Sequence, residues 1–297
     1  MNVSPFPPPA LEVVSAPEDA VVGLQPVMAP AYDIEKILAS IDTMAAQRPV
    51  AMQIVSVANS DDTSAKALSR ILATDVALAS RVMKLANSAY FGMRGRVTSL
   101  QFAVTVVGFT TVRTTATVAL TDLDDESRLP ENFWTVTTSL ALAASAMAPR
   151  FGERPQDGLC IGLLAQMGAA LLHHNDESGY RDLMAEHPTF ASRRRAEVRR
   201  YGISAVRLTS VALENWGFPS TMVLPMQRIE DLGSLEGGLL RAGYEAAARL
   251  TVPDYERPSI GPISCGRLRE EDLPPVLYQV RNDADELRRA ILGDGTD

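Results

Sequence analysis

Apolar positions recur three and four residues apart along most of this chain, and capping residues stand at the breaks between them. Ile34, Ile37, Leu38, Ile41 and Met44 follow Asp33 at helical spacing, which predicts a capped helix. Pro49 opens a second helix through about Asn59. Ser64 precedes Ala67, Leu68, Ile71 and Leu72, and Asp75 precedes Val76, Ala79, Val82, Met83 and Ala86, so each predicts an N-capped helix. Gly92 and Gly95 mark a loop over 88–96, and Ser99 starts a short helix that Gly108 closes. The β-branched stretch TTVRTTATVAL at 110–120 suits helix or strand by propensity, and its neighbours make it a helix. Beyond it the pattern predicts a helix from Pro130 to about Met147 and an apolar helix over 158–172. Further helices are expected near 177–186, 190–200, 204–216, 219–231 and 235–250, with Gly202 and Gly217 placed to end two of them. A Pro/Gly-rich stretch runs from Pro253 to Gly266, and one modest helix follows over 270–292. With no fixed-period repeat and no series of alternating strands, the expected class is all-α.

Composition narrows this further. Of 297 residues, 46% are hydrophobic and 22% charged, enough apolar material for a sizeable core. The net charge of −8 disfavours unspecific attraction to nucleic acid. Residues 1–31, with Pro5, Pro7, Pro8, Pro9, Pro17, Pro26 and Pro30, read as a flexible tail. Cys160 and Cys265 stand far apart and form neither a disulfide framework nor a CxxC pair, so a reducing cytoplasm is expected. No secretory signal is expected at the N-terminus. The longest apolar run, Leu159 to Leu172, is too short to span a bilayer, so no membrane partner is expected.

The chemistry-bearing residues are sparse. There are three histidines, His173, His174 and His187, and no P-loop, GxGxxG, GxSxG or HExxH. Neighbouring helical residues point about 100° apart, so His173 and His174 suit a helix C-terminus better than one shared ion. Asp122, Asp124, Asp125 and Glu126 lack the glycine and terminal glutamate of a calcium loop and read as a solvated connector. Arg193, Arg194, Arg195, Arg199 and Arg200 form the sharpest basic cluster and are the candidate phosphate ligands, although their spacing spreads them around a helix. The stripes Val82/Met83/Ala86 and Leu163/Leu164/Met167 read as core, and Trp216 as a packing anchor.

The stretch ILATDVALASRVMKLANSAYFGMRGRVTSLQFAVTVVG, Ile71 to Gly108, closely resembles the core of the HDOD family, bacterial signalling domains related to HD phosphohydrolases. LANSAYFG at 85–92 is its most specific part. Phe133-Trp134, GLLAQMGAALL at 162–172, RRYGIS at 199–204 and ENWGFP at 214–219 follow in the expected order, so the resemblance covers about 32–250 and leaves 251–297 as a C-terminal extension with a short helix. It implies an N-terminal helical bundle packed on an HD-phosphohydrolase-like helical half. HD enzymes hold metal with a histidine, a His-Asp pair and a further aspartate. The resemblance puts the first histidine near Thr138, the pair on Ala165-Gln166, and a histidine common after the YGxS-type segment on Ala205. Alanine has no donor atom and a neutral amide binds divalent metals weakly, so no catalytic residues, no metal ligands and no cofactor are expected.

What the resemblance implies is a non-catalytic adaptor that binds signalling proteins in trans. Asn87, Tyr90 and Phe91 are its candidate partner contacts, since aromatic anchors carry interface energy. The plain alternative is that the two rings pin the loop to the core and Asn87 is a helix-end hydrogen-bonding residue. Two other readings stay open: a cyclic-dinucleotide receptor using the arginine cluster, and a helix-turn-helix nucleic-acid regulator built from 64–87 with Ser80, Arg81 and Lys84 outward.

Overall fold

The computed structural model describes residues 35–37, 39, 47–58 and 63–292. The Pro-rich segment 1–31, the Asp33 cap and most of the helix expected over Ile34 to Met44 lie outside these residues; 35–37 and 39 are helical. Among the described residues all regular structure is helical.

The first five helices are α1 (Pro49–Val57), α2 (Ala65–Leu72), α3 (Val76–Ala86), α4 (Leu100–Val107) and α5 (Phe109–Leu120). Their starts follow the capping residues closely. Ser64, Asp75 and Ser99 each accept a hydrogen bond from the backbone N–H three residues on. Gly108, at φ +81°, closes α4 and turns the chain by 103° into α5. The Thr-rich α5 buries every residue from Thr111 to Leu120 and packs against α1 and α3. Thr115, Thr117 and Thr121 point their hydroxyls at carbonyls four residues back, so the helix itself satisfies these three buried hydroxyls.

The second half comprises α6 (Phe133–Met147), α7 (Pro155–Leu164), α8 (Met167–Asn175), α9 (Glu177–Glu186), α10 (Phe190–Tyr201), α11 (Ala205–Asn215), α12 (Ser220–Gln227), α13 (Leu235–Thr251), the single turn α14 (Ile260–Ile263) and α15 (Leu273–Leu292). Helix α6 is apolar on nearly every face and forms the centre, packed by α7, α13 and α15. It starts three residues after Pro130 because Asn132 takes a left-handed φ of 59°.

Three expectations need correction. The apolar helix expected over 158–172 is two helices, interrupted at Ala165-Gln166, where the Ala165 carbonyl accepts side-chain hydroxyls instead of extending the ladder. The helix of the extension is not short: α15 runs 20 residues, burying Leu273, Val280, Leu287 and Ile291 on one stripe against α6 and α3. The acidic run is no solvated connector either. Asp122 and Asp124 meet Arg48 at 3.1 and 3.5 Å, Asp124 meets Arg81 at 2.7 Å, and Glu126 meets Arg288 at 2.5 Å, so this loop ties both halves and α15 together. Among the described residues no single helix is long and apolar enough to cross a membrane.

Candidate functional site

Four segments meet around the positions where the resemblance puts metal ligands. Thr138 points its hydroxyl at the Trp134 carbonyl of its own helix, 2.8 Å away, and is buried. Ala165 ends α7; its carbonyl accepts from Thr209 Oγ1 at 3.4 Å and from Tyr244 Oη at 3.3 Å. Ala205 opens α11, and its N–H donates to Glu197 Oε2 at 2.8 Å. Its carbonyl crosses α8 so closely at Gly168 that a Cβ there would meet it head-on. Thr209 fills the crossing, accepting the Gly168 N–H at 2.8 Å. Ala165 and Ala205 are thus brought together around Thr209, whose hydroxyl lies 3.4 and 3.1 Å from their carbonyls. Among the described residues no three His, Cys, Asp or Glu side chains gather as ligands. The two adjacent histidines diverge: His173 is buried edge-on to Tyr180, and His174 faces outward beside Arg128. Burial is the main force holding the pKa of each below the usual histidine range.

Behind this region a buried carboxylate joins three helices. Glu197 of α10 accepts from Tyr180 Oη of α9 at 2.8 Å as well as from the first N–H of α11. Burial pushes the Tyr180 hydroxyl well above its ordinary pKa, so it stays a donor.

The candidate phosphate ligands do not converge. Arg193 lies 3.9 Å from Glu197, Arg194 pairs with Glu230 at 2.5 Å and Arg200 pairs with Asp176 at 2.9 Å; Arg195 and Arg199 are exposed. The helix places them around its circumference; Glu197 of the same helix faces Arg193, and Glu230 and Asp176 from other segments pair with Arg194 and Arg200.

The loop at 87–92 is built differently. Asn87 brackets Val97, donating from Nδ2 to its carbonyl and accepting its N–H on Oδ1, both at 2.9 Å, with a further bond to the Met83 carbonyl. It is a loop pin. Tyr90 Oη lies 2.7 Å from Ser145 Oγ on α6, and burial pushes its pKa up to about 12. Tyr90 and Phe91 meet edge to face and border a cleft of about 460 Å³ between this loop, α6 and α15. Asn87→Ala is expected to cost about 2 kcal/mol, because the buried Val97 amide loses both partners. Urea unfolding and proteolysis at Gly92–Arg96 will read this, and an unchanged midpoint with an uncut loop would count against the pin.

A second concavity was not foreseen. It holds about 440 Å³ between α10, the 228–234 loop, α13 and the segment 255–263. Phe190 and Tyr244 stack at 3.8 Å along its wall. Tyr244 presents its ring to this cavity and its hydroxyl to Ala165, so the cavity abuts the break where a His-Asp pair would stand. Arg241, beneath, donates to the carbonyls of Ile229, Asp231, Leu232, Ser234 and Ile263 and holds the cavity's outer loop in place. Its residues come from four separated segments with no shared spacing, which leaves no motif to find.

The HDOD domain model matches residues 44–232. This chain belongs to the HDOD family. A solved protein of Shewanella amazonensis SB2B, provisionally described as a phosphohydrolase, superposes at a TM-score of 0.64 and 21% identity, over 86% of this chain and 97% of that one. An HDOD domain protein of unknown function from Geobacter sulfurreducens matches at 0.57 and 17%, over 87% and 98%. A provisionally described signal transduction protein from Marinobacter aquaeolei VT8 matches at 0.64 and 18%, over 89% of this chain and 67% of that one. At these identities the likeness carries the HDOD fold. Curated proteins contain no match to the sequence. In this HDOD chain the contact between the halves includes a buried cation: Arg113 of α5 donates to the Trp216 carbonyl at 2.6 Å and lies 3.7 Å over the Phe218 ring. Desolvation lowers its pKa to about 10.

Proposed function

We propose that this chain is a non-catalytic HDOD signalling module that works by protein contact in trans. The observation that carries this reading is the state of the four positions where the resemblance puts a histidine or aspartate. Thr138 is turned onto its own helix, Ala165 and Ala205 offer no side-chain donor atoms, and Gln166 is a buried neutral amide. Metal-assisted hydrolysis needs ligands that hold the ion and leave a coordination place for water. The Marinobacter relative's description as a signal transduction protein agrees with such a role. In the 87–92 loop, Tyr90 and Phe91 still present surface to a partner, whereas Asn87 is consumed by Val97.

The two other readings gain little. Three of the five cluster arginines are already paired with carboxylates, which weakens a dianionic ligand there. Arg81 of the helix-turn-helix-like pair is held by Asp124, which removes charge from its outward face.

The test is metal content of the purified chain by mass spectrometry together with phosphodiesterase turnover under added manganese. The expected result is no stoichiometric metal and no turnover above the blank. Stoichiometric metal with turnover that co-purifies with the chain would overturn the proposal.

A further inference from the structure

We infer that the cavity between α10 and α13 is a binding site for a small organic cation, a primary ammonium, amidinium or guanidinium group on a flat apolar body. Its volume of about 440 Å³ lies within the range of small-molecule sites. Its walls are apolar and aromatic, led by the Phe190–Tyr244 stack, with Leu232 and Pro258 at the outer side. Phe190 is only partly buried and lines the cavity, so part of its ring stays open to it.

The polar feature that selects the ligand is Glu245. It is 8% exposed and lines the cavity. Its Oε1 accepts from Arg249 Nε at 2.8 Å and from Tyr255 Oη at 3.0 Å. Among the described residues Oε2 accepts no hydrogen bond, and it is not one of the fully buried polar atoms that lack a partner, so it stays accessible to a donor from the cavity it lines. Arg249 does not settle the local charge, because it also pairs with Glu270 at 2.7 Å. Of the charged residues that line the cavity, Glu230, Glu245 and Glu256 face Arg194 and Arg241, one negative charge in excess among the lining side chains. Arg241 has no capacity left for an anion, since its donors are committed to backbone carbonyls.

A ligand that completes this site brings an N–H donor to Glu245 Oε2, one positive charge, and a flat face to lie on Phe190. Cations are attracted to aromatic faces and to carboxylates alike, and both are stronger in a partly desolvated cavity. An anion of the same shape meets the excess negative charge and the open acceptor, and is rejected. A bare metal ion is a poor fit, since one carboxylate stands alone against aromatic walls. The site does not depend on the protein-contact reading: it gives the module something to sense, whichever partner it touches.

The experiment uses the full chain and benzamidine as the probe, with benzoate and benzyl alcohol as anionic and neutral counterparts, followed by titration calorimetry and ligand-observed NMR. Benzamidine is expected to bind saturably, and benzoate not at all. Glu245→Gln is expected to weaken benzamidine about tenfold or more, the loss of one charge-assisted hydrogen bond. Because Glu245 also holds Arg249, a second variant is needed: Phe190→Leu keeps the carboxylate and removes the ring, and is expected to weaken benzamidine severalfold while the chain stays folded. Absence of saturable benzamidine binding, equal binding of benzoate, or benzamidine affinity untouched by both variants would each overturn the inference.

Discussion

Gly168→Ala is expected to destabilise this protein by about 3 kcal/mol or more, although alanine is the better helix former by about 1 kcal/mol. Gly168 lies in α8 where the Ala205 carbonyl passes, and an added Cβ would strike that oxygen and crowd Thr209 Oγ1 at 3.0 Å. Both neighbours are fixed. The Ala205 N–H is tied to the buried Glu197, and Thr209 accepts the Gly168 N–H while donating toward Ala165 and Ala205. The helices can separate only by breaking that set. Gly233→Ala provides the contrast, since a Cβ there meets only Asp231 Oδ1 at 3.4 Å, and its change is expected to stay within about 0.5 kcal/mol. Equilibrium urea unfolding of both variants decides the matter; equal midpoints would mean that α8 and α11 are not held at this crossing.

Arg241→Met is expected to cost a comparable amount, about 3–5 kcal/mol, and to loosen the loop at 228–234 before the rest of the chain. One guanidinium, 7% exposed, organises the carbonyls of Ile229, Asp231, Leu232, Ser234 and Ile263. Methionine fills much of the volume and leaves those acceptors without their donors. Arg241→Lys is expected to recover only a fraction, because an ammonium has three donors on a point and cannot span carbonyls on both sides of a planar fork. Hydrogen exchange at 228–238 separates this from a plain packing defect, which would not raise exchange there selectively. Protection equal to wild type in both variants would refute the role.

Much of the helical grammar was legible in the sequence, because it depends on short-range chemistry. Ser64, Asp75 and Ser99 cap the helices that follow them, and Gly108 and Gly202 end theirs at positive φ. The all-helical class came from the same local signals, and the HDOD resemblance over about 32–250 from LANSAYFG and the motifs that follow it; the family model matches 44–232. The break at Ala165-Gln166 was not legible: the residues around it are good helix formers, and what interrupts them is hydroxyl donation from Thr209 and Tyr244, 44 and 79 residues away. The acidic loop misled for a similar reason. Its partners, Arg48, Arg81 and Arg288, arrive from three distant segments, so a run of carboxylates that looked solvated is an ion-paired junction. The stripe of α15 is spaced as a helix should be, yet only α6 and α3 beside it make 20 residues of it ordered structure.

The candidate sites divide along the same line. Asn87, Tyr90 and Phe91 could be singled out because they share one eight-residue segment, and the loss of ligating side chains at Ala165 and Ala205 is a fact of residue identity. The cavity of Phe190, Tyr244 and Glu245 could not be, since its walls come from segments up to 74 residues apart and only packing brings them together. Composition, caps and periodicity act over one or two helical turns, and that range was enough to determine most of the stretches that are helices. Which carboxylate is left with an open oxygen, which arginine is already spent on backbone carbonyls, and where two helices come too close for a methyl group are decided by desolvation and contact between distant segments, and those exist only once the chain has folded.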